Sequence, residues 1–424
     1  MPKEKRNPKG REKPPVAVVG AGIVGVSAAI WLQREGHRVV LVDRGEPGEG
    51  TSYGNGGVLA SSSIVPITVP GLVRKAPRML FSPRQPLYLK WSYLPRLAPW
   101  LRRYLSHCTV EEASRIASAL AAIVGDSLAD HQALSDGTGA EKWLKPSDYV
   151  FVYDSPAQFK NDAFGWSLRD RHGFSWEELE REALHAYDPS LGARFGFAAR
   201  LGGHGTITDP GRYVKALASH VLANGGDLIR GEVSDFVRDG EGIVGLRIGG
   251  ETLGCSAVVL ATGAWSKPLC RKLGLDVPLE SERGYHVELW EPSTMPRAPC
   301  MVAAEKFVMT PMEGRLRLAG VVEFGGLAAK PSTAPIKLLM RSVEAALPGI
   351  TWKHETEWMG HRPAPADSIP VIGEIPGVKG VFLGFGHHHV GLTGGPKTGR
   401  ILAQLVSGQR PNLDLAPYAP SRFQ

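Results

Sequence analysis

Three glycines near the start of the chain have the spacing of a loop that binds phosphate. Gly20, Gly22 and Gly25 form the pattern G-x-G-x-x-G. The first glycine permits a tight turn, the second lets the backbone approach a pyrophosphate, and the third lets a helix pack on the preceding strand. Asp43 follows 23 residues after Gly20, where its carboxylate can accept hydrogen bonds from a ribose. The pattern predicts dinucleotide binding, and the alternative is a tight structural turn.

Two later stretches could bring backbone close to a flat ligand. Residues 51–57 (TSYGNGG) are small, polar and flexible. Residues 384–400 combine glycines with three successive histidines and follow an apolar run. If a helix begins within this second stretch, its N-terminus would stabilise negative charge on a bound cofactor. Either stretch alone indicates only a loop.

The elements around these motifs are those of an α/β unit. Residues 16–19 are an apolar run of β type, residues 26–35 have a helical pattern closed by Gly36, and residues 38–42 are a second apolar run that ends in Asp43. Strand, glycine turn, helix, strand and acid make a complete βαβ unit. Four further stretches have a helical pattern: residues 110–135, 174–186, 213–224 and 334–346.

Composition excludes several classes of protein. The 424 residues are enough for two or three domains, and 43% are hydrophobic, which permits a sizeable core. The four cysteines contain no C-x-x-C pair, so neither a zinc knuckle nor a dithiol redox site is supported, and free thiols fit a reducing compartment. The apolar run 16–32 is explained by its glycines, and no transmembrane helix is predicted.

The positive charge is local. The net charge is +7, with +4 in residues 1–15, which are expected to be a disordered basic tail, and +8 in residues 71–104. A nucleic-acid enzyme would spread basic residues along a groove, so no nucleic-acid partner is predicted. Residues 71–104 also carry six aromatic residues, and cations with amphipathic aromatics suit an anionic membrane surface. The alternative is a solvated face beside buried aromatics.

In chain order the motifs resemble the landmarks of the FAD-dependent D-amino-acid oxidase superfamily. Besides the motif at 20–43 and residues 51–57, the landmarks are Asp209-Pro210, residues 261–265 (ATGAW), Arg283-Gly284-Tyr285, residues 360–373 (GHRPAPADSIPVIG) and residues 386–399. The resemblance extends from residue 16 to about residue 423. Within the superfamily the chain looks most like bacterial D-amino-acid dehydrogenases, including hydroxy-D-proline dehydrogenases, because of residues 52–57 and the G-H-x-x-x-G-x-T stretch at 386–393.

The resemblance implies FAD rather than NAD, with the Cα hydrogen leaving as hydride to flavin N5. The imino acid formed would hydrolyse to a 2-oxo acid and ammonia, or remain cyclic. Relatives with covalent flavin use a late cysteine, and no cysteine follows Cys300, so non-covalent FAD is expected. Many relatives have Glu where Asp43 stands, and Asp supplies the same carboxylate. The residues expected to hold FAD are Gly20, Gly22, Ile23, Val24, Asp43, Arg44, Thr51, Ser52, Asn55, Gly56, Gly57, Val233, Thr262, Gly263, Trp265, Gly391, Leu392, Thr393 and Thr398.

Arg362 is the leading candidate for substrate binding. A planar, permanently charged guanidinium matches the geometry and charge of an amino-acid carboxylate. The resemblance implies that the arginine of the Gly-x-Arg-Pro motif binds this carboxylate. The alternative is a structural ion pair with Asp367 or Glu374. Tyr285 could bind the carboxylate or orient the amine, and the alternative is a half-buried strand tyrosine. Tyr53 is a weaker candidate of the same kind.

The three successive histidines, His387, His388 and His389, raise the question of a metal. Neighbouring side chains of an extended chain diverge and no partner has ligand spacing, so no metal is predicted. A histidine that takes a proton from the substrate ammonium is the better hypothesis, and His388 and His387 are the leading candidates.

These expectations define an α/β flavoprotein with a discontinuous Rossmann-like FAD-binding domain and an inserted, mixed or antiparallel substrate sheet. The FAD domain is predicted over residues 16–70, 200–280 and 355–424, and the substrate domain over 71–199 and 281–354. A cytoplasmic enzyme, peripheral on the inner face of the cell membrane and passing electrons to a quinone, is expected.

The alternatives keep the flavin or replace it. They are a sarcosine- or glycine-type amine oxidase, a 2-hydroxy-acid dehydrogenase, a subunit of a heteromeric dehydrogenase and an NAD-dependent dehydrogenase. The oligomeric state is left open by the sequence.

Overall fold

The fold is known from a computed structural model, which describes residues 13–74 and 86–424. Its first layer is a six-stranded sheet in the order β18-β19-β12-β1-β2-β8, parallel except for the pair β18–β19. Its strands are β1 Val16–Val19, β2 Val39–Asp43, β8 Asp227–Arg230, β12 Ala257–Leu260, β18 Val371–Glu374 and β19 Val381–Phe385. The sheet supplies the parallel α/β arrangement that the βαβ unit predicts.

Helices cover one face of this sheet and a small antiparallel sheet covers the other. Helix α1 packs against the last helix, α11, because Gly399 of α11 allows close approach: a Cβ there would lie 2.5 Å from the Ser27 Cβ atom. The small sheet contains β9 Val233–Asp239, β10 Gly242–Ile248 and β11 Glu251–Gly254. The helices are α1 Ile23–Arg34, α2 Leu94–Ser106, α3 Val110–Val124, α4 Ser127–Ser135, α5 Pro156–Asn161, α6 Ala163–Arg171, α7 Arg181–Tyr187, α8 Pro210–Ala223, α9 Ser266–Lys272, α10 Ala334–Ala346 and α11 Gly391–Val406.

A second, ten-stranded sheet stands beside the first. Its main path is β17-β13-β16-β15-β14-β5-β7-β3, with β4 on β16 and β6 on β7, and most pairs are antiparallel. The strands are β3 Val58–Leu59, β4 Leu87–Leu89, β5 Leu144–Tyr153, β6 Glu177–Glu180, β7 Phe197–Ile207, β13 Leu279–Trp290, β14 Cys300–Val302, β15 Phe307–Met312, β16 Arg315–Phe324 and β17 His354–Pro365. Helix α10 packs on one face of it and buries an apolar cluster there.

These two sheets make the fold class expected from the sequence, which is confirmed. The six-stranded sheet takes all its strands from the three segments predicted for the cofactor domain. Strands β3 and β17 lie in those same segments but pair in the ten-stranded sheet. The domain boundaries stay a prediction.

Two predicted helices differ from the structure. The helix expected over 110–135 is divided into α3 and α4 at Gly125-Asp126. Residues 174–186 were expected to be helical, but residues 177–180 form edge strand β6, and only α7 is helical. In β6 only Leu179 is buried, so backbone pairing with β7 decides the conformation of this segment. The glutamates of the segment favour a helix, and the sequence does not reveal the pairing.

Of the basic stretch 71–104, the structure describes residues 71–74 and 86–104. Helix α2 turns Leu97, Trp100 and Tyr104 inward, where Trp100 stacks on Tyr104 with ring centroids 4.6 Å apart. Its outer face carries exposed Arg96, Arg102 and Arg103. Both aromatic residues of α2, Trp100 and Tyr104, therefore belong to the core, while its cations face solvent. Across the described residues, no helix combines the length and apolar character needed to cross a bilayer.

Candidate active site

A cavity of about 810 Å³ lies at the carboxyl ends of the parallel strands. Ligands of open α/β sheets bind at this edge, and the volume is within the usual range of about 300–1,000 Å³ for small-molecule sites. Fifteen of the nineteen residues expected to hold a cofactor line it. They are Gly20, Gly22, Ile23, Val24, Asp43, Arg44, Thr51, Ser52, Asn55, Val233, Thr262, Gly263, Trp265, Gly391 and Leu392.

The glycine motif has the geometry of a phosphate cradle. Gly20 has φ +105°, and a Cβ there would lie 2.4 Å from the carbonyl oxygen of Ala261. A Cβ on Gly25 would lie 1.8 Å from the Gly20 carbonyl oxygen, so the turn from β1 into α1 excludes side chains at both positions. A Cβ on Gly22 would meet only Ser52 Oγ, at 3.2 Å. Gly22 therefore faces the cavity with bare backbone beside a helix N-terminus, as a pyrophosphate requires.

Asp43 and Arg44 stand where β2 ends at the cavity. The two carboxylate oxygens of Asp43 accept hydrogen bonds from the backbone N–H groups of Ala21 at 2.7 Å and Gly45 at 2.9 Å. This fixes the carboxylate beside the cradle, with lone pairs left for ribose hydroxyls. The Arg44 guanidinium lies 4.0 Å from the centroid of the Trp265 ring, and both side chains line the cavity. A glycine cradle, a ribose acceptor and a flat cationic–aromatic wall together fit FAD.

The other four predicted cofactor residues, Gly56, Gly57, Thr393 and Thr398, do not line this cavity. Gly57, with φ +75°, turns the chain into β3, and Gly56 precedes it. The hydroxyl of Thr393 is directed to the carbonyl oxygen of Val58, and Thr398 is fully buried. These residues shape the loop and helix α11 rather than the cavity surface.

Arg362 projects from β17 over the neighbouring strand. It is paired with Glu282 of β13, so the two side chains share one face of the ten-stranded sheet. A Cβ on Gly284 would lie 2.5 Å from Arg362 Cζ, which means that the guanidinium lies directly over this glycine. Arg362 Nη1 donates to the carbonyl oxygen of Val321 at 3.2 Å.

Arg362 and His389 each adjoin a residue of the cavity wall. Arg362 is partly exposed, yet burial lowers the pKa of its guanidinium, an effect that Glu282 opposes. His389 is exposed, yet burial lowers its pKa well below the ordinary value, and the charges of His388 and Arg362 act in the same direction. The adjoining Pro363 and His388 line the 810 Å³ cavity, so Arg362 and His389 lie next to its wall.

The three histidines have different environments. His387 is buried, its Nε2 lies 2.8 Å from the Thr398 hydroxyl, and burial lowers its pKa to about 4. His388 has φ +53°, a strained conformation for a histidine, and its N–H donates to the carbonyl oxygen of Pro363 at 2.9 Å. His388 Nε2 lies 2.9 Å from Glu282 Oε1. Across residues 13–74 and 86–424, no three His, Cys, Asp or Glu side chains form a group that could hold a metal.

Tyr285 does not lie with Arg362. Alternate residues of a strand point to opposite faces, and Tyr285 is on the face covered by α10. Its hydroxyl donates to Glu323 Oε2 at 2.6 Å and accepts from the Ser332 N–H at 2.9 Å. Burial and the hydrogen bond to Glu323 raise its pKa to about 12. The structure therefore corrects the sequence interpretation: Tyr285 anchors the second core and does not reach the cavity.

Tyr53 belongs to an aromatic cluster that joins the loop 51–57 to the ten-stranded sheet. Its ring centroid lies 5.9 Å from that of His286 and 6.1 Å from that of Trp358. The Trp358 ring rests on Gly54 and Gly360, since a Cβ at either position would come within 2 Å of it (1.8 and 1.9 Å). Sequence reasoning missed Trp358, although its position two residues before the Gly-His-Arg-Pro motif, on the same face of β17, is the pattern that would have indicated it.

A buried charge network holds the same loop. Glu288 Oε1 accepts from Arg315 at 2.6 Å and from Arg317 Nη2, and Arg317 Nη1 donates to the carbonyl oxygen of Tyr53 at 2.8 Å. Burial opposes ionisation of Glu288, but the two arginines lower its pKa to about 2. Removing one member would leave an uncompensated buried charge, at a cost of about 3–5 kcal/mol. The network therefore fixes the loop that separates the cavity from the sheet.

Comparison with known proteins agrees with this geometry. The family model of FAD-dependent oxidoreductases matches residues 15–405. The chain is 39% identical over 423 residues to a D-amino-acid oxidase of Bradyrhizobium diazoefficiens, covering 98% of this chain and all of the relative. It is 31% identical to D-amino acid dehydrogenase 2 of Ralstonia nicotianae, covering 96% of this chain and all of that protein.

Solved structures share the fold at lower identity. Glycine oxidase from Geobacillus kaustophilus superposes with a TM-score of 0.75 at 23% identity, over 97% of this chain and 99% of that one. L-Proline dehydrogenase from P. horikoshii gives a TM-score of 0.74 at 18% identity, over 97% and 98%. The family resemblance and the FAD cofactor expected from the sequence are thus confirmed, and an NAD-dependent enzyme is excluded. The chain belongs to the family of FAD-dependent oxidoreductases.

Proposed function

We propose that the chain oxidises D-amino acids or D-imino acids. The observation that carries the proposal is Arg362, a partly exposed guanidinium that lies over Gly284 and next to Pro363 of the FAD cavity wall. Relatives over the full length of the chain are named D-amino-acid oxidase and D-amino acid dehydrogenase. FAD, when bound, supplies the acceptor for the hydride that leaves the substrate Cα, at flavin N5. The imino acid formed would hydrolyse to a 2-oxo acid and ammonia, or remain cyclic with a substrate such as hydroxy-D-proline.

The chain's own residues bind and orient the substrate. Arg362 takes the carboxylate through the N–H groups that Val321 leaves free. His388, at the cavity wall, and His387, held by Thr398, shape the space beside Cα, and the lowered pKa of His387 keeps its ring neutral near pH 7. His388 is the candidate to take a proton from the substrate ammonium, because its ring lies at the cavity wall. Tyr53, whose ring packs with those of His286 and Trp358, stays a weaker candidate for contact with the substrate.

The substrate class is tested by anaerobic flavin reduction, which needs no external acceptor. Purified protein is mixed with D-amino acids, D-proline, hydroxy-D-proline, sarcosine, glycine and D-lactate, and loss of the flavin band is followed. We expect reduction with one or more D-amino or D-imino acids. Reduction only with sarcosine, glycine or lactate would assign the chain to another activity. A chain that is reduced by none of them alone would instead be a subunit of a heteromeric enzyme.

We propose a quinone-type compound as electron acceptor. Reoxidation of the substrate-reduced flavin is measured in air-saturated buffer and with a soluble ubiquinone analogue in the absence of oxygen. Faster reoxidation by the quinone supports a dehydrogenase, and faster reoxidation by oxygen contradicts it.

We further propose contact with an anionic membrane surface through the outer face of α2. Arg96, Arg102 and Arg103 are exposed there, and the nearby Trp91 is 55% exposed. Each cation near such a surface is worth about 1 kcal/mol. The triple substitution R96Q/R102Q/R103Q should greatly reduce co-sedimentation with phosphatidylglycerol vesicles. The matched triple R238Q/R247Q/K379Q removes exposed cations elsewhere, and equal loss with both triples would contradict a specific surface.

A further inference from the structure

Three polar atoms without hydrogen-bond partners lie together beside Arg362. They are Glu282 Oε2, the Tyr104 hydroxyl oxygen and His388 Nε2, none of which makes a hydrogen bond in the structure. Their side chains are at least nine-tenths buried, with exposures of 2, 5 and 6%. A buried polar group without a partner costs about 1–3 kcal/mol. Three such groups in one place indicate a site built to receive a polar ligand.

The three side chains come from separate elements that meet at one point. Glu282 lies on β13, directly opposite Arg362 of β17. Tyr104 comes from α2, whose buried face packs on Ala364 and Ala366 at the end of β17, where Trp100 Nε1 donates to the Ala364 carbonyl at 3.0 Å. His388 follows β19 and lines the FAD cavity. The cluster therefore lies between the cavity and helix α2.

The contacts within the cluster leave its inner atoms available. His388 Nε2 lies 2.9 Å from Glu282 Oε1, but the two atoms are not aligned as a hydrogen bond. His388 Nδ1 lies 2.7 Å from His389 Nδ1. If His388 donates in that contact, its Nε2 carries a lone pair and can accept. Tyr104 stacks on Trp100, whose ring centroid lies 5.5 Å from that of Phe324, the residue directly opposite Glu282 on β16. Burial and the charge of Glu282 both raise the pKa of the Tyr104 hydroxyl.

We propose that Glu282 Oε2, the Tyr104 hydroxyl oxygen and His388 Nε2 form the subsite for the α-ammonium group of the substrate. A primary ammonium has three N–H donors, which matches three acceptors. The buried carboxylate supplies the countercharge, as Arg362 does for the substrate carboxylate. The inference rests on the proposed amino-acid oxidation and adds the basis of its specificity. A 2-hydroxy acid has one O–H donor and no positive charge, so it would leave Glu282 unpaired.

The test separates recognition of the ammonium from recognition of the carboxylate. KM is measured for D-alanine, and the competitive inhibition constant is measured for propanoate, which lacks the amino group. If only large side chains are turned over, D-phenylalanine and 3-phenylpropanoate take their places. We expect E282Q to raise the KM for the amino acid about tenfold or more and to change the inhibition constant of the carboxylate less than about twofold. R362K should raise both constants.

Two further variants make the result specific. Y104F deletes one acceptor from a different element and should raise the KM of the amino acid alone, which keeps the proposal testable if E282Q does not fold. E280Q is the matched control, since Glu280 is on the same strand, is partly buried and accepts from the Tyr93 hydroxyl at 3.1 Å. It should change neither constant. The ratio of kcat/KM for D-alanine to kcat/KM for D-lactate should be about tenfold lower, or more, in E282Q than in the wild type.

The outcomes distinguish the two proposals. Suppose that the wild type is active but E282Q and Y104F leave the KM for the amino acid unchanged, or change both constants together. This result would overturn the ammonium subsite and leave the proposed function intact. In that case the cluster holds buried water. A wild type whose flavin is reduced by no D-amino acid overturns the proposed function itself. Flavin content and Tm are compared for each variant so that a folding defect is recognised.

Discussion

At the scale of single residues, the active site depends on where side chains are absent as much as on where they are present. Gly284 leaves the space that the Arg362 guanidinium occupies, and Gly54 and Gly360 leave the space for the Trp358 ring. None of these three glycines has a positive φ, and Gly284 and Gly360 lie within strands β13 and β17. These positions are glycine because a neighbouring side chain approaches the backbone closely, which the sequence alone does not show.

The first prediction concerns Gly284→Ala. The added Cβ would lie 2.5 Å from Arg362 Cζ, so the guanidinium must move, and we expect KM for the D-amino acid to rise about tenfold or more. Steady-state kinetics measure this. Gly254→Ala is the control, because its Cβ would meet nothing closer than 3.9 Å and should leave KM unchanged. An unchanged KM in Gly284→Ala would show that Arg362 does not bind substrate from this position.

At the scale of elements, buried polar contacts join the helices around the FAD cavity. His131 of α4 donates from Nε2 to the carbonyl oxygen of Leu392 in α11 at 2.9 Å, and its Nδ1 accepts from the Tyr213 hydroxyl of α8 at 2.8 Å. Leu392 lines the cavity, so this histidine supports the cofactor site from behind. Burial lowers the pKa of His131 to about 4, against a smaller opposing effect of the Leu392 carbonyl.

The second prediction follows from this pKa. The pKa of His131 in the folded chain lies below its value of about 6.5 in the unfolded chain. As the pH falls, the unfolded chain therefore takes up a proton first. The free energy of unfolding decreases as the pH falls from about 6.5 to about 4. The full difference corresponds to about 3 kcal/mol. His131→Asn should lower Tm at pH 7.5, and the gap to wild type should narrow at pH 5, as measured by thermal unfolding. His172→Asn, at a partly exposed position, should show no such narrowing. A gap that is constant with pH would contradict the assignment.

At the scale of the whole molecule, two sheets with separate cores enclose the site. The six-stranded sheet supplies the FAD cavity, and the ten-stranded sheet supplies Glu282 and Arg362. Loop 51–57 and the stretch after β19 connect the two. The cofactor therefore ties together parts of the chain that are far apart in sequence, and its binding should stabilise the whole fold.

The third prediction concerns how the cofactor is held. No cysteine of the described residues lines the cavity, so we expect non-covalent FAD. Acid precipitation should release all of the yellow colour into the supernatant, with the mass of FAD. Removing the flavin should lower Tm, and adding FAD back at about 100 times its Kd should restore about 2.7 kcal/mol. Colour that stays with the precipitate would demonstrate a covalent link.

The cofactor half of the molecule was largely determined by local sequence. The βαβ unit, the glycine turn and the acid after β2 are fixed by short-range sterics and hydrogen bonding, and fifteen of nineteen predicted residues line the cavity. The other four, Gly56, Gly57, Thr393 and Thr398, do not line this cavity and stay predictions.

The substrate half was decided by tertiary structure. Tyr285 and Arg362 were both expected near the substrate, but strand pairing and the alternation of side chains put them on opposite faces of the sheet. Glu282, Tyr104 and Trp358 carry no local signature, because their environment arises only when β13, β17 and α2 pack together. Sequence alone thus determined the cofactor and the class of chemistry, since these depend on backbone within a few residues. The shape and charge of the substrate site depend on contacts across some 280 positions of chain, which only the folded molecule makes.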